Sequence, residues 1–129
     1  MTQKIVPEII KSVGFDFRWS EEKVWALDIP TASLDITELS WHFDMPFWNK
    51  DDNYYNLKPS EVINLSKDNQ SEYDRTMQAD LTYPIDIMYN KGRWLILDGL
   101  HRLLKAHILG QTVVQVRKIP RNLIPQIEK

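Results

Sequence analysis

From residue 84 onward the apolar and polar positions fall into one readable pattern. Pro84 to Tyr89 (Pro-Ile-Asp-Ile-Met-Tyr) alternates as a strand does, and Asn90-Lys91-Gly92 supplies a short turn with Gly92 suited to a left-handed position. Arg93 to Leu97 (Arg-Trp-Leu-Ile-Leu) returns as a second strand. The three successive apolar residues at its end predict burial on both faces. Leu100 to Leu109 follows a helical period, with an apolar stripe of Leu100, Leu103, Leu104, His107 and Ile108, and Gly110 as its stop. Thr112 to Ile119 is β-branched and strand-like. Hairpin, helix and strand in this order predict an α+β fold, a small mixed sheet with helices packed against it.

The first 83 residues carry weaker periodicity. Val24 to Ile29 reads as a strand ended by Pro30, and Thr31 to Ser40 has room for a helical turn. Ser40 to Asp52 is aromatic, acidic and broken by Pro46, which predicts a loop or short strand against the core. Asn56 to Glu61 is turn-like, and Pro59 suits the first position of a helix. Ser71 to Ala79 reads as a helix with Ser71 as cap and Asp74 at the capping-box position. No repeat, low-complexity tract or flexible linker divides the chain, so residues 1–129 are expected to form a single domain.

Composition narrows the function classes. An apolar fraction of 43% over 129 residues supports a core of ordinary size. The absence of cysteine removes disulfides, a thiolate nucleophile and cysteine-based zinc sites. The first residues contain no long apolar run, so neither a signal peptide nor a membrane span is expected, and a cytoplasmic protein is the default. Charge is unevenly spread. Residues 1–83 hold 8 Lys/Arg against 15 Asp/Glu (−7), and residues 84–121 hold 7 against 2 (+5). A basic second half suits an anionic ligand, or an acidic surface elsewhere in the same fold. The overall balance of −2 argues against DNA as a partner by itself.

The junction Leu97-Asp98-Gly99-Leu100-His101-Arg102 concentrates the candidate chemistry. A strand, one glycine and a helix start direct unpaired backbone N–H groups and the positive end of the helix dipole at whatever lies above the strand end. Gly99 allows close approach of a phosphate, or simply a turn without a Cβ. Asp98 could orient a metal bound to nucleotide phosphates, or cap the helix by accepting from Leu100 or His101; a carboxylate doing the second would repel the phosphate. His101 could donate to phosphate or serve as acid or base, or be a surface histidine at a positive helix end. Arg102 could clamp phosphate with its fork, or pair with an acid of the first half. Lys105 shares the polar face with both, and His107 on the apolar stripe reads as structural.

Strand, Asp98-Gly99-Leu100-His101-Arg102, helix, Gly110 and a valine-rich strand together resemble the ParB/sulfiredoxin superfamily, over about residues 80–120 and more loosely from Val24. The resemblance implies a bacterial ParB-like domain that binds nucleotide phosphates at Asp98, Gly99, Leu100, His101 and Arg102, with ATP, ADP or CTP and Mg²⁺ as candidate cofactors. It departs from sulfiredoxins at Leu100, where they carry their catalytic cysteine, so sulfinic-acid reduction by that route is excluded. It departs from chromosome-partitioning proteins in having no room for a helix-turn-helix after Ile119. The free-serine kinase branch implies a glutamate from the early chain as general base, and Glu38 and Asp44 are the candidates beside His101. His42 and Asp44, two apart on an extended segment, could join His101 at a metal, or form a hydrogen-bonded pair in a loop. Trp48, Tyr54 and Tyr55 could stack on a base or belong to the core. Arg75 and Asp80 are a candidate supporting ion pair. The expected ligand is a nucleotide or small phosphorylated molecule, with a small-molecule kinase or nucleotide hydrolase as the enzyme class and a homodimer left open. The alternative is a ParB-like protein-interaction module without catalysis.

Overall fold

The computed structural model describes residues 6–50, 53–64 and 67–129. Its centre is a four-stranded mixed sheet of β1 (Thr31–Asp35), β4 (Ile85–Asn90), β5 (Arg93–Asp98) and β6 (Val113–Lys118), in the order β1-β6-β4-β5. A separate hairpin pairs β2 (Trp48–Lys50) with β3 (Asn53–Leu57). The helices are α1 (Glu8–Lys11), α2 (Glu21–Trp25), α3 (Pro59–Asn64), α4 (Gln70–Met77), α5 (Leu100–Ile108) and α6 (Ile124–Ile127). The fold is α+β, as the pattern of the second half implies. No helix among the described residues is long and apolar enough to cross a membrane.

The β4–β5 hairpin closes through Lys91 (φ 51°) and Gly92 (φ 87°), two consecutive positive-φ residues whose twist matches that of the strands they join. From β5 the chain turns at Gly99, runs through α5 across β4, and enters the sheet again as β6, parallel to β4. β1 then pairs antiparallel with β6. Both faces of the sheet are covered. On one, Ile85, Ile87, Val114 and Val116 pack with Leu103 and Leu104 of α5, Val62 of α3 and Leu57 of β3. On the other, Met88, Leu97 and Ile119 pack with Val24 of α2 and Ile127 of α6, flanked by Phe15, Phe17 and Trp19. This explains the unbroken apolar run 95–97, in which Ile96 faces the first cluster and Leu97 the second.

Three elements of the first half differ from expectation. Residues 24–29 are not a strand. Ser20 accepts from the Lys23 amide and Glu21 and Glu22 occupy the first turn, so α2 forms instead. The strand lies beyond Pro30, as β1, with only Ala32 and Leu34 turned to the core. Residues 40–44 form a 3-10 turn, not an extended segment. Pro59 does open α3, and α4 covers most of the expected helix, but Asn69 and not Ser71 is its cap.

β5 is an edge strand, and three of its main-chain groups are met by side chains. The Trp94 carbonyl accepts from Trp41 Nε1 (3.2 Å) and the Leu97 carbonyl from Trp19 Nε1 (3.1 Å). The Ile96 amide donates to His42 Nε2 (3.2 Å). An edge satisfied this way is closed to further strand pairing.

Candidate functional site

Gly99 leaves β5 at φ 118° and becomes the N-cap of α5. A Cβ there would sit 3.2–3.3 Å from Ile85 side-chain and backbone atoms, so both its conformation and its packing call for glycine. The helix is capped by no side chain. The first internal bond runs from the Leu103 amide to the Gly99 carbonyl (2.9 Å). The amides of Leu100, His101 and Arg102 have no hydrogen-bond acceptor among the described residues.

Asp98 therefore does not cap the helix. Its Oδ2 accepts from Trp25 Nε1 and from the Arg102 guanidinium, both at 2.7 Å. Arg102 also donates to the Pro84 carbonyl at the start of β4. Its acidic partner is thus its neighbour one helical turn back, not an acid of the first half. The chain Trp25–Asp98–Arg102–Pro84 ties α2, β5, α5 and β4 together below the helix start. Beside it, Arg117 Nε donates to buried Asp86 (2.6 Å), while its other nitrogens take the Leu27 and Val24 carbonyls that end α2. Burial, the largest influence on Asp86, raises its pKa above the usual carboxylate value despite Arg117.

His101 is held from two sides. Its Nε2 donates to Glu72 Oε2 of α4 (2.7 Å), and its ring stacks on Trp48 at 4.4 Å between centroids and 14° between planes. That bond fixes the proton on Nε2 of the neutral ring and leaves Nδ1 with a lone pair. Burial lowers the His101 pKa, and the Glu72 carboxylate only partly opposes it. Glu72 is the carboxylate beside His101 that the sequence did not reveal. Nothing links it to His101 until α4 and α5 pack, 29 residues apart.

The other candidates lie elsewhere or have other work. Glu38 and Asp44 are exposed, and neither side chain makes a hydrogen bond or ion pair among the described residues, so the structure brings neither of these two acids onto the helix start. Because residues 40–44 turn, His42 and Asp44 point apart. His42 is buried with Nδ1 donating to the Leu39 carbonyl and Nε2 occupied by Ile96, leaving no lone pair for a metal. Among the described residues no group of three His, Asp or Glu side chains is placed to hold a metal ion. Lys105 donates to the Ala79 carbonyl (2.7 Å), and His107 is exposed beside Phe43, not in the apolar stripe. Arg75 pairs with Glu72, while Asp80 accepts from Thr82, so Arg75 and Asp80 do not pair. Trp48 packs on the core and forms a wall for His101; Tyr55 sits at φ 54°, and the Tyr54 side chain lies outside the described residues. A cleft of about 190 Å³ opens beside Arg102, lined also by Leu81, Ile85, Ala106 and Gln111.

No protein-family model, curated protein or solved structure matches this chain.

Proposed function

We propose that the start of α5 binds the phosphate of a small phosphorylated ligand or nucleotide, as its resemblance to ParB/sulfiredoxin-like domains implies. The supporting observation is the set of unpartnered amides at Leu100, His101 and Arg102, left bare because Asp98 is drawn away by Trp25 and Arg102. Three convergent N–H groups at a helix start attract an anion. The roles differ from those first expected. Arg102 holds Asp98 and Pro84 and acts as scaffold, so the backbone carries the contact. His101, oriented by Glu72, is the titratable group at the site. Should the bound ligand react, phosphoryl transfer or hydrolysis with Mg²⁺ is the class, with His101 Nδ1 as acceptor of a proton. The lack of cysteine suits a reducing compartment such as the cytoplasm.

The test is an amide-resolved NMR titration of the whole chain with inorganic phosphate, ATP, ADP and CTP, each with and without Mg²⁺. The resonances of Leu100, His101 and Arg102 are expected to move together and saturably. Unmoved resonances with all four ligands overturn the proposal.

A second reading has its own support. The row Arg102 and Lys105, basic in sequence, is spent on Asp98, Pro84 and Ala79 inside the fold. Internal use of these cations suits a protein-interaction module without catalysis, and the same titration separates the two.

A further inference from the structure

The two edges of the main sheet are treated differently. β5 is closed by Trp19, Trp41 and His42, whereas β1 is open. The Ile36 amide donates to the Thr112 carbonyl, which fixes the phase of the β1–β6 ladder. With Leu34 opposite Val114 and Ala32 opposite Val116, the main-chain groups of Ala32 and Leu34 face β6. Those of Thr31, Ser33 and Asp35 then face outward. None of them is hydrogen-bonded among the described residues, and all three residues are exposed. Each offers one donor and one acceptor to the free edge. The strand has no lysine, bulge or internal proline of the kind that blunts an edge.

We propose that β1 pairs antiparallel with β1 of a second copy of this chain, about a two-fold axis through Ser33, joining the two sheets into one. The strand is complementary to itself in that register. Ser33 meets its counterpart, and Thr31 meets Asp35 in both directions, so every outward N–H finds a C=O. Axes through Ala32 or Leu34 would leave Asp35 or Thr31 unpaired. In the Ser33 register no carboxylate faces another, and Leu34 of each copy lies opposite Ala32 of the other, a large side chain against a small one. Both already pack at the margin of the apolar cluster, which the added strand would extend. The proposal stands independently of the ligand site at α5.

Sedimentation velocity from micromolar to millimolar protein tests it, together with hydrogen exchange. Dimerisation is expected, and the amides of Thr31, Ser33 and Asp35 should exchange more slowly as concentration rises, while those of Ala32 and Leu34 stay protected throughout. Ser33→Lys places two ammonium groups face to face on the axis and should raise the dimer dissociation constant by about tenfold or more. The exchange measurement needs no variant, so it decides the matter even if Ser33→Lys folds poorly. A monomer at every concentration overturns the proposal. A dimer whose three outward amides exchange at a concentration-independent rate overturns it as well.

Discussion

His42 Nε2 accepts a hydrogen bond from the Ile96 amide at 3.2 Å, so a buried imidazole serves as the missing neighbour of an edge strand. The arrangement works only while the ring is neutral. Its other nitrogen already donates to Leu39, and a proton on Nε2 would face the Ile96 N–H head-on. Burial, the largest influence, lowers the His42 pKa from 6.5 to about 4; the Leu39 bond opposes this and Arg93 adds to it.

The sign of the pH dependence follows. The unfolded chain takes up a proton near pH 6.5 and the folded chain only near pH 4, so His42 favours the native state above pH 6.5 and this advantage drains away as the pH falls toward 4. The span corresponds to roughly 3 kcal/mol. Urea unfolding of wild type and His42→Phe across pH 4–7 measures it. The variant should be less stable at pH 7 by about 1–3 kcal/mol, because the Ile96 amide loses its acceptor, and should lose less stability on acidification. Parallel slopes would refute the assignment.

Arg117 and Asp86 form a different kind of buried contact. Asp86 is 2% exposed, and Arg117 both neutralises it and closes the end of α2. Arg117→Ala removes one partner and leaves a desolvated carboxylate, which is expected to cost about 3–5 kcal/mol in chemical denaturation. Asp86→Leu with Arg117→Met removes both charges together and should cost clearly less than the two single losses added. Additive losses would show that the charges do not act as a pair.

How far the fold could be read in advance depended on where each signal resides. β4, the turn, β5, α5 and β6 were legible because alternation, helical period and the glycines at 92 and 110 are local properties. α2 and β1 were not. Val24 to Ile29 is apolar enough for a strand, and only Ser20 with Glu21 and Glu22 marks the helix; β1 is polar because it is an edge, so its period-2 signal rests on Ala32 and Leu34 alone. At the site, the bare amides after Gly99 were legible from strand, glycine and helix. The partners that decide the roles were not. Trp25 reaches Asp98 across 73 positions and Glu72 reaches His101 across 29, and no spacing rule connects residues so far apart.

Gly99→Ala tests the backbone at that junction. Alanine would have to adopt φ 118° with its Cβ against Ile85, at 3.2–3.3 Å from three of its atoms. Strain of this kind costs about 1–3 kcal/mol. A loss of that size in thermal or urea unfolding is expected, whereas Gly92→Ala, whose added Cβ meets nothing within 4 Å, should bear only the backbone part and lose less. Equal losses would mean that Ile85 yields freely and that close packing does not hold Gly99 in place.

Glu72→Gln isolates the carboxylate behind His101. In the folded protein burial pulls the His101 pKa down, while the hydrogen bond and charge of Glu72 pull it up. Glutamine keeps an oxygen within reach but removes the charge, so the pKa should fall further below 6.5. NMR titration of the His101 ring protons reads this directly. Because the depressed pKa already means that stability is present above pH 6.5 and erodes below it, the variant should steepen that erosion on acidification. The Trp48 contact sharpens the readout, since the stacked indole shields the His101 ring and its upfield-shifted resonances report whether the ring stays in place. A lowered pKa with the shielding intact assigns to Glu72 the setting of the His101 proton. An unchanged pKa would limit Glu72 to packing α4 on α5, and would remove the support for His101 as the proposed proton acceptor.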